Sequence, residues 1–205
     1  GLADQIMALM CLTVIAHEAH QATGYARVTY DQFESALGKS RSSISRGLRV
    51  LHDFKIIAVG DKRSEYQLPN FDMDAAEINP AYRWAKMPCR FLYNGSTLTF
   101  FSNLTLRSRT ELDALKLMFL FAALRDRKLN IAMISYEKIP DRTGIPKERI
   151  KKALSLLSVN GIVFVESMPS KQNFYGIAQG YRLAGIESYL HAGTIGRGLA
   201  AAEVG

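Results

Sequence analysis

Between Gly38 and Gly60 the chain reads GKSRSSISRGLRVLHDFKIIAVG. Its first half carries Lys39, Ser40, Arg41, Ser42, Ser43, Ser45, Arg46 and Arg49, and no carboxylate appears before Asp53. An arginine guanidinium is a planar fork of donors that fits a phosphate or the O6/N7 edge of guanine, and a serine hydroxyl bonds phosphate or a base edge. The chemistry on offer is therefore hydrogen bonding to an anionic, acceptor-rich surface, not bond breaking. A second basic cluster holds Lys147, Arg149, Lys151 and Lys152. Lys62 and Arg63 sit in the turn GDKRS, and Lys171 and Asn173 complete the set.

Spacings that would support other chemistry are weak. HEAH sets His17 and His20 three apart, not the four apart of a helical zinc pair. GTIGRG lacks the lysine of a phosphate loop and follows no strand. Asp72, Asp74 and Glu77 read as an acidic connector. No Ser/His/Asp or Cys/His set assembles, so no catalytic residue, metal ligand or cofactor is expected and the chain reads as non-enzymatic. Cys11 and Cys89 lie in apolar surroundings without CxxC spacing, as reduced thiols of a cytoplasmic protein would.

Composition agrees with an anionic partner. The chain has 205 residues, a net charge of +7 and a pI near 9.5. Such an excess favours nucleic acid or an anionic membrane surface. The apolar runs IMALMCLTVIA and LMFLFAAL are shorter than the roughly 20 residues a membrane span needs, so they are expected as core helices and no membrane partner is expected. No secretory leader is legible, and the chain opens on Gly1 rather than Met, as a piece of a longer protein would.

The elements that must position these side chains can be read next. A helix from Ser40 to about Phe54 sets Ile44, Leu48 and Leu51 within about 40° of one direction and turns Ser42, Arg46 and Arg49 the opposite way, with Ser43 and Ser45 on the flanks. Gly38 permits a tight turn, Ser40 is a good N-cap, and the helix N-terminus adds free N–H donors. Helices are expected at 3–20 and 30–37, and IIAV and EYQL read as strands, the first buried, around the turn GDKRS.

This arrangement occurs twice. Shifted by 106 positions, residues 28–59 fall on 134–165 without a gap and with seven identities, where chance gives about two. Tyr30/Tyr136, Gly38/Gly144, Ile44/Ile150, Leu48/Leu154, Leu51/Leu157 and Val59/Val165 are among them, and Arg46 meets Lys152. EYQL resembles GYRL, with nine extra residues before the second copy. Pro146 is expected to open the last helix and Asn160-Gly161 to end it. Between the copies, Asn94-Gly95 marks a hairpin between two apolar strands.

ALGKSRSSISRGLRVLHDFKIIAV resembles the winged helix-turn-helix of bacterial DNA-binding proteins, with its Leu-Gly turn, Ser-Arg-Ser-x-Ile-Ser-Arg run, two leucines and a strand. TGIPKERIKKALSLLSVNGIVFVE resembles the same module but has lysines and Glu148 where the first has serines and arginines. The resemblance implies that the third helix of each copy enters the major groove and that GDKRS is a wing tip on the backbone or in the minor groove. Two such modules joined through a hairpin resemble plasmid-type replication initiators. The expectation is an α+β, mostly α fold: a first winged-helix domain at 1–70, a linker with a β-hairpin at 71–104, a second winged-helix domain at 105–190 and a flexible tail at 191–205. The expected function is sequence-specific binding of double-stranded DNA in replication initiation. A transcriptional regulator or a protein-interaction scaffold stays open, as do a homodimer and contact with replication or transcription machinery.

Overall fold

The structure, a computed structural model, describes residues 1–20, 23–60, 62–69, 85, 87–126, 129–169 and 177–186. It is α+β, with about half of the described residues helical and the strands in small antiparallel sheets. The chain divides into two compact units, Gly1–Leu115 and Lys116 onward.

The first unit opens with helix α1 (Leu2–Glu18), strand β1 (Tyr25–Arg27), helices α2 (Tyr30–Leu37) and α3 (Arg41–Asp53), and strands β2 (Ala58–Val59) and β3 (Glu65–Gln67). The sheet order is β1-β3-β2. Local chemistry sets the helix ends. Thr29 and Gln32 form a reciprocal capping box at α2, the backbone N–H of Thr29 donating to Gln32 Oε1 at 2.7 Å. Gly38 ends α2 at φ 62°, donating its N–H to the Glu34 carbonyl at 2.8 Å. Ser40 caps α3, accepting from the Ser43 N–H at 3.4 Å.

Ile6, Met10, Phe33, Leu37, Ile44 and Leu51 form the centre of the core. Gly47 is buried with them, which the apolar pattern of α3 does not announce. A Cβ there would lie 2.5 Å from Met7 Cγ and 2.9 Å from the Met7 carbonyl carbon, so the missing side chain is what lets α3 close on α1.

IIAV departs from expectation. Lys55 takes a left-handed backbone at φ 55°, and the N–H groups of Ile56 and Ile57 turn back to the Leu51 carbonyl. These bonds close the helix end and delay the strand to Ala58–Val59. Ile57 is buried, whereas Ile56 and Val59 are exposed.

The hairpin is shorter than expected. Helix α4 (Cys89–Leu92), strands β4 (Tyr93–Asn94) and β5 (Thr97–Leu98) and helix α5 (Thr99–Ser102) follow one another directly. Asn94 pairs with Thr97, so the turn is Gly95-Ser96, and helical turns stand where longer apolar strands were expected. The hairpin is fastened to α2: Ser35 Oγ donates to Ser96 Oγ at 2.8 Å, and Thr97 Oγ1 to the Ser35 carbonyl at 3.1 Å. It belongs to the first compact unit.

Helix α6 (Arg109–Leu124), within which the division falls, is followed by strand β6 (Ala132–Met133), helices α7 (Ile139–Thr143) and α8 (Lys147–Val159), and strands β7 (Val163–Pro169) and β8 (Ile177–Leu183). Sheet order is β6-β8-β7, the order of the first sheet. Helices α3 and α8 start and stop 106 positions apart. Left-handed backbone recurs at the same offset, at Gly24 and Asn130, Gly38 and Gly144, Lys55 and Gly161. Tyr66 and Tyr181 occupy matching buried places, and burial pushes both phenols up to about 12. Helix α7 starts at Ile139, three residues later than the repeat implies. Pro140, which has no N–H to donate, fits only the first turn of a helix. The nine extra residues go with longer strands: β7 and β8 have seven residues each, against two and three in β2 and β3.

Candidate nucleic-acid interface

On α3, Ile44, Gly47, Leu48 and Leu51 are buried, while Arg41, Ser42, Arg46 and Arg49 are exposed and Ser43 and Ser45 are half-buried. The three arginines have different surroundings. Arg46 is 49% exposed and is held from the side: Nε donates to Asp4 Oδ1 at 2.9 Å, and Nη2 to Ser43 Oγ at 3.2 Å. The Arg46 bond holds the Asp4 carboxyl below its usual value. Arg41 is braced against α2, with Nε donating to Glu34 Oε2 at 2.9 Å and Nη2 paired with Asp31. Arg49 has no ion-pair partner among the described residues.

Lys39 is turned away from this surface. Its Nζ donates to the carbonyls of Ser102 and Leu104, each at 2.8 Å, and partial burial lowers its pKa. It ties the α2–α3 turn to the end of α5 and the segment that follows it. Ser40 is occupied as the cap of α3, within 3.1 Å of Ser42 Oγ and 3.2 Å of Ser43 Oγ. Lys62 and Arg63 are exposed in the turn from β2 to β3, where the Lys62 backbone N–H donates to Glu65 Oε2 at 3.4 Å.

On α8, Ile150, Ala153, Leu154 and Leu157 are buried, Lys147, Lys151 and Lys152 are exposed, and Arg149 is half-buried. Lys147 Nζ donates to Glu137 Oε1 at 3.3 Å. Lys151 and Lys152 have no ion-pair partner among the described residues. Lys171 and Asn173 lie outside the described residues, as do Asp72, Asp74, Glu77 and the GTIGRG stretch.

The sequence reading missed the carboxylates. Asp31–Arg41 and Glu137–Lys147 are one ion pair repeated at the 106-residue offset, each bracing the first turn of the surface helix. Its signal was present as opposite charges ten residues apart across a Gly turn in both copies. Asp4 left no such signal, being 42 residues from Arg46.

Other groups do not converge. His17 Nδ1 contacts Glu18 Oε1 at 3.1 Å and the ring lies against Tyr93, while His20 contacts Thr23. No group of three or more His, Cys, Asp or Glu that could hold a metal occurs among the described residues. Cys11 is buried, which pushes its thiol pKa far up, and the Cys89 side chain lies outside the description. No described helix is long and apolar enough to cross a membrane. The chain matches no known family, no curated protein and no solved structure.

Proposed function

We propose that the chain is a non-enzymatic, sequence-specific double-stranded-DNA-binding protein made of two winged-helix modules, acting in replication initiation on a plasmid or similar element. The observation that carries this reading is the outer face of α3: Ser42, Arg46 and Arg49 project from a Ser40-capped helix, with no acidic side chain on the helix before Asp53. Carboxylates from α1 and α2 pair with Arg46 and Arg41 from the sides, and Arg49 with the remaining donors of Arg46 is what the face offers outward. Small serines allow close approach, and Arg46 keeps free guanidinium donors for a base edge. Lys62 and Arg63 on the β2–β3 turn suit the wing, where they meet phosphate or the minor groove. On α8, Lys151 and Lys152 suit phosphates. The replication role is supported by the repeat of one arrangement within one chain, which suits repeated DNA sites.

The test is selection of bound duplexes from a random pool, followed by footprinting on genomic DNA. Tandem direct repeats at an origin are expected. A single palindrome at a promoter would replace the initiator with a regulator, and no duplex binding at low salt would overturn DNA binding altogether.

A further inference from the structure

Arg46 is not free to grip any anion that approaches. Its Nε is taken by Asp4, which α1 carries in its first turn, and one Nη2 hydrogen by Ser43. A guanidinium has five N–H donors. Those left are on Nη1 and the remaining Nη2 position, at the tip of the fork. Two parallel N–H groups at the tip match a paired acceptor such as guanine O6/N7. The carboxylate closes the Nε side of the fork to a phosphate; its other oxygen, Oδ2, is held by the Gly1 ammonium at 3.1 Å, so the clamp acts by occupying donors rather than by cancelling charge. Asp4 is only 25% exposed, and α1 is pressed on α3 at Gly47, so the acid cannot easily swing away.

We propose that Asp4 is a specificity-determining positioning residue: it withholds Arg46 from phosphates and presents the guanidinium tip to a base edge. The proposal rests on the DNA-binding reading of the first unit and goes beyond it by assigning a role to an acid outside the α3 surface. The second copy of the repeat carries different residues at these places. Thr110 stands at the position matching Asp4, and Lys152 at that matching Arg46.

The experiment takes a site selected from a random duplex pool by the unaltered protein, then titrates that site and a scrambled duplex at several salt concentrations. Asp4→Asn should bind scrambled duplex about three- to tenfold more tightly, leave the selected site nearly unchanged, and steepen the salt slope by about one unit as Arg46 gains a phosphate. In an Arg46→Ala background the same substitution should leave the ratio of the two affinities unmoved. That background carries the same charge change, so it separates the coupling from bulk charge. Asp4→Ser, which keeps an acceptor in the first turn of α1, repeats the test should Asp4→Asn melt early. Equal effects on both duplexes, or a change in the ratio that persists without Arg46, would overturn the role of Asp4 while DNA binding stands. An unaltered protein that selects no sequence would overturn both.

Discussion

Helices α3 and α8 share their length, their place after a left-handed glycine and their buried positions, yet they present different chemistry. One shows arginines among serines, with Arg46 clamped by Asp4; the other shows Lys151 and Lys152, which have no ion-pair partner among the described residues. What the repeat keeps is what folding needs: isoleucine and leucine on the inner face, a residue able to take positive φ at each turn, and one ion pair across the turn. What it lets drift is the outer face. Under the DNA-binding reading, the drift separates a unit that reads from a unit that holds.

The largest effect tests what the units share. Leu51 and Leu157 are both fully buried at matching positions. Truncation to alanine should cost each unit about 2–5 kcal/mol. Hydrogen exchange of α3 and α8 amides reads the two losses separately. Costs that differ by most of that range would show that the two cores are not one packing scheme.

Gly47 and Ala153 test where the packing diverges. Both are buried, but only Gly47 has no room for a methyl group. Gly47→Ala should destabilise the first unit by about 1–3 kcal/mol through overpacking against Met7, despite better helix propensity. Ala153→Gly should cost about 1 kcal/mol from propensity and the lost methyl. Urea unfolding measures both. A stabilised Gly47→Ala would mean that α1 and α3 are free to move apart.

The outer faces diverge most under the proposed function. Arg46→Ala should lose about 1–3 kcal/mol on a selected site and much less on scrambled duplex. Lys152→Ala should weaken both alike and make the salt slope shallower by about one unit. Paired titrations decide, and equal losses for Arg46→Ala would leave both helices as holding surfaces.

Much of this was legible because it is local. Ser40 capping, the Gly38 turn and the Ile44, Leu48 and Leu51 stripe depend on neighbours within one or two turns. The repeat made the second copy readable from the first. What escaped the sequence depends on chain segments meeting across the fold: Asp4 on Arg46, Lys39 on the carbonyls of Ser102 and Leu104, Met7 against Gly47. IIAV was misread for a related reason. Its apolar character is that of a strand, but Lys55 at positive φ lets the helix end claim the N–H groups of Ile56 and Ile57 first.

The smallest effect concerns the sheets. In the second unit Arg182 spans β7 and β8, with Nε donating to Glu166 Oε1 at 2.6 Å and Nη2 to Oε2 at 3.1 Å, while Nη1 reaches the Leu129 carbonyl at 3.0 Å. The matching residues of the first unit are Gly60 and Gln67, which form no ion pair. The Arg182 bond holds the Glu166 carboxyl below its ordinary value of 4.5. A folded-state pKa below the unfolded one adds stability above the unfolded value, and that stability is lost as pH falls through the folded one. Glu166 is 36% exposed, so solvent screening limits the contribution to under about 1 kcal/mol. Glu166→Gln should therefore weaken β7–β8 amide protection slightly at pH 7, and the deficit should shrink as pH falls below 4.5. The Asp4–Arg46 pair of the first unit also weakens in acid, but that change is common to both proteins and cancels in the difference. A deficit that does not shrink with falling pH would mean that Glu166 acts through shape rather than charge, and that the longer hairpin of the second unit stands without its ion pair.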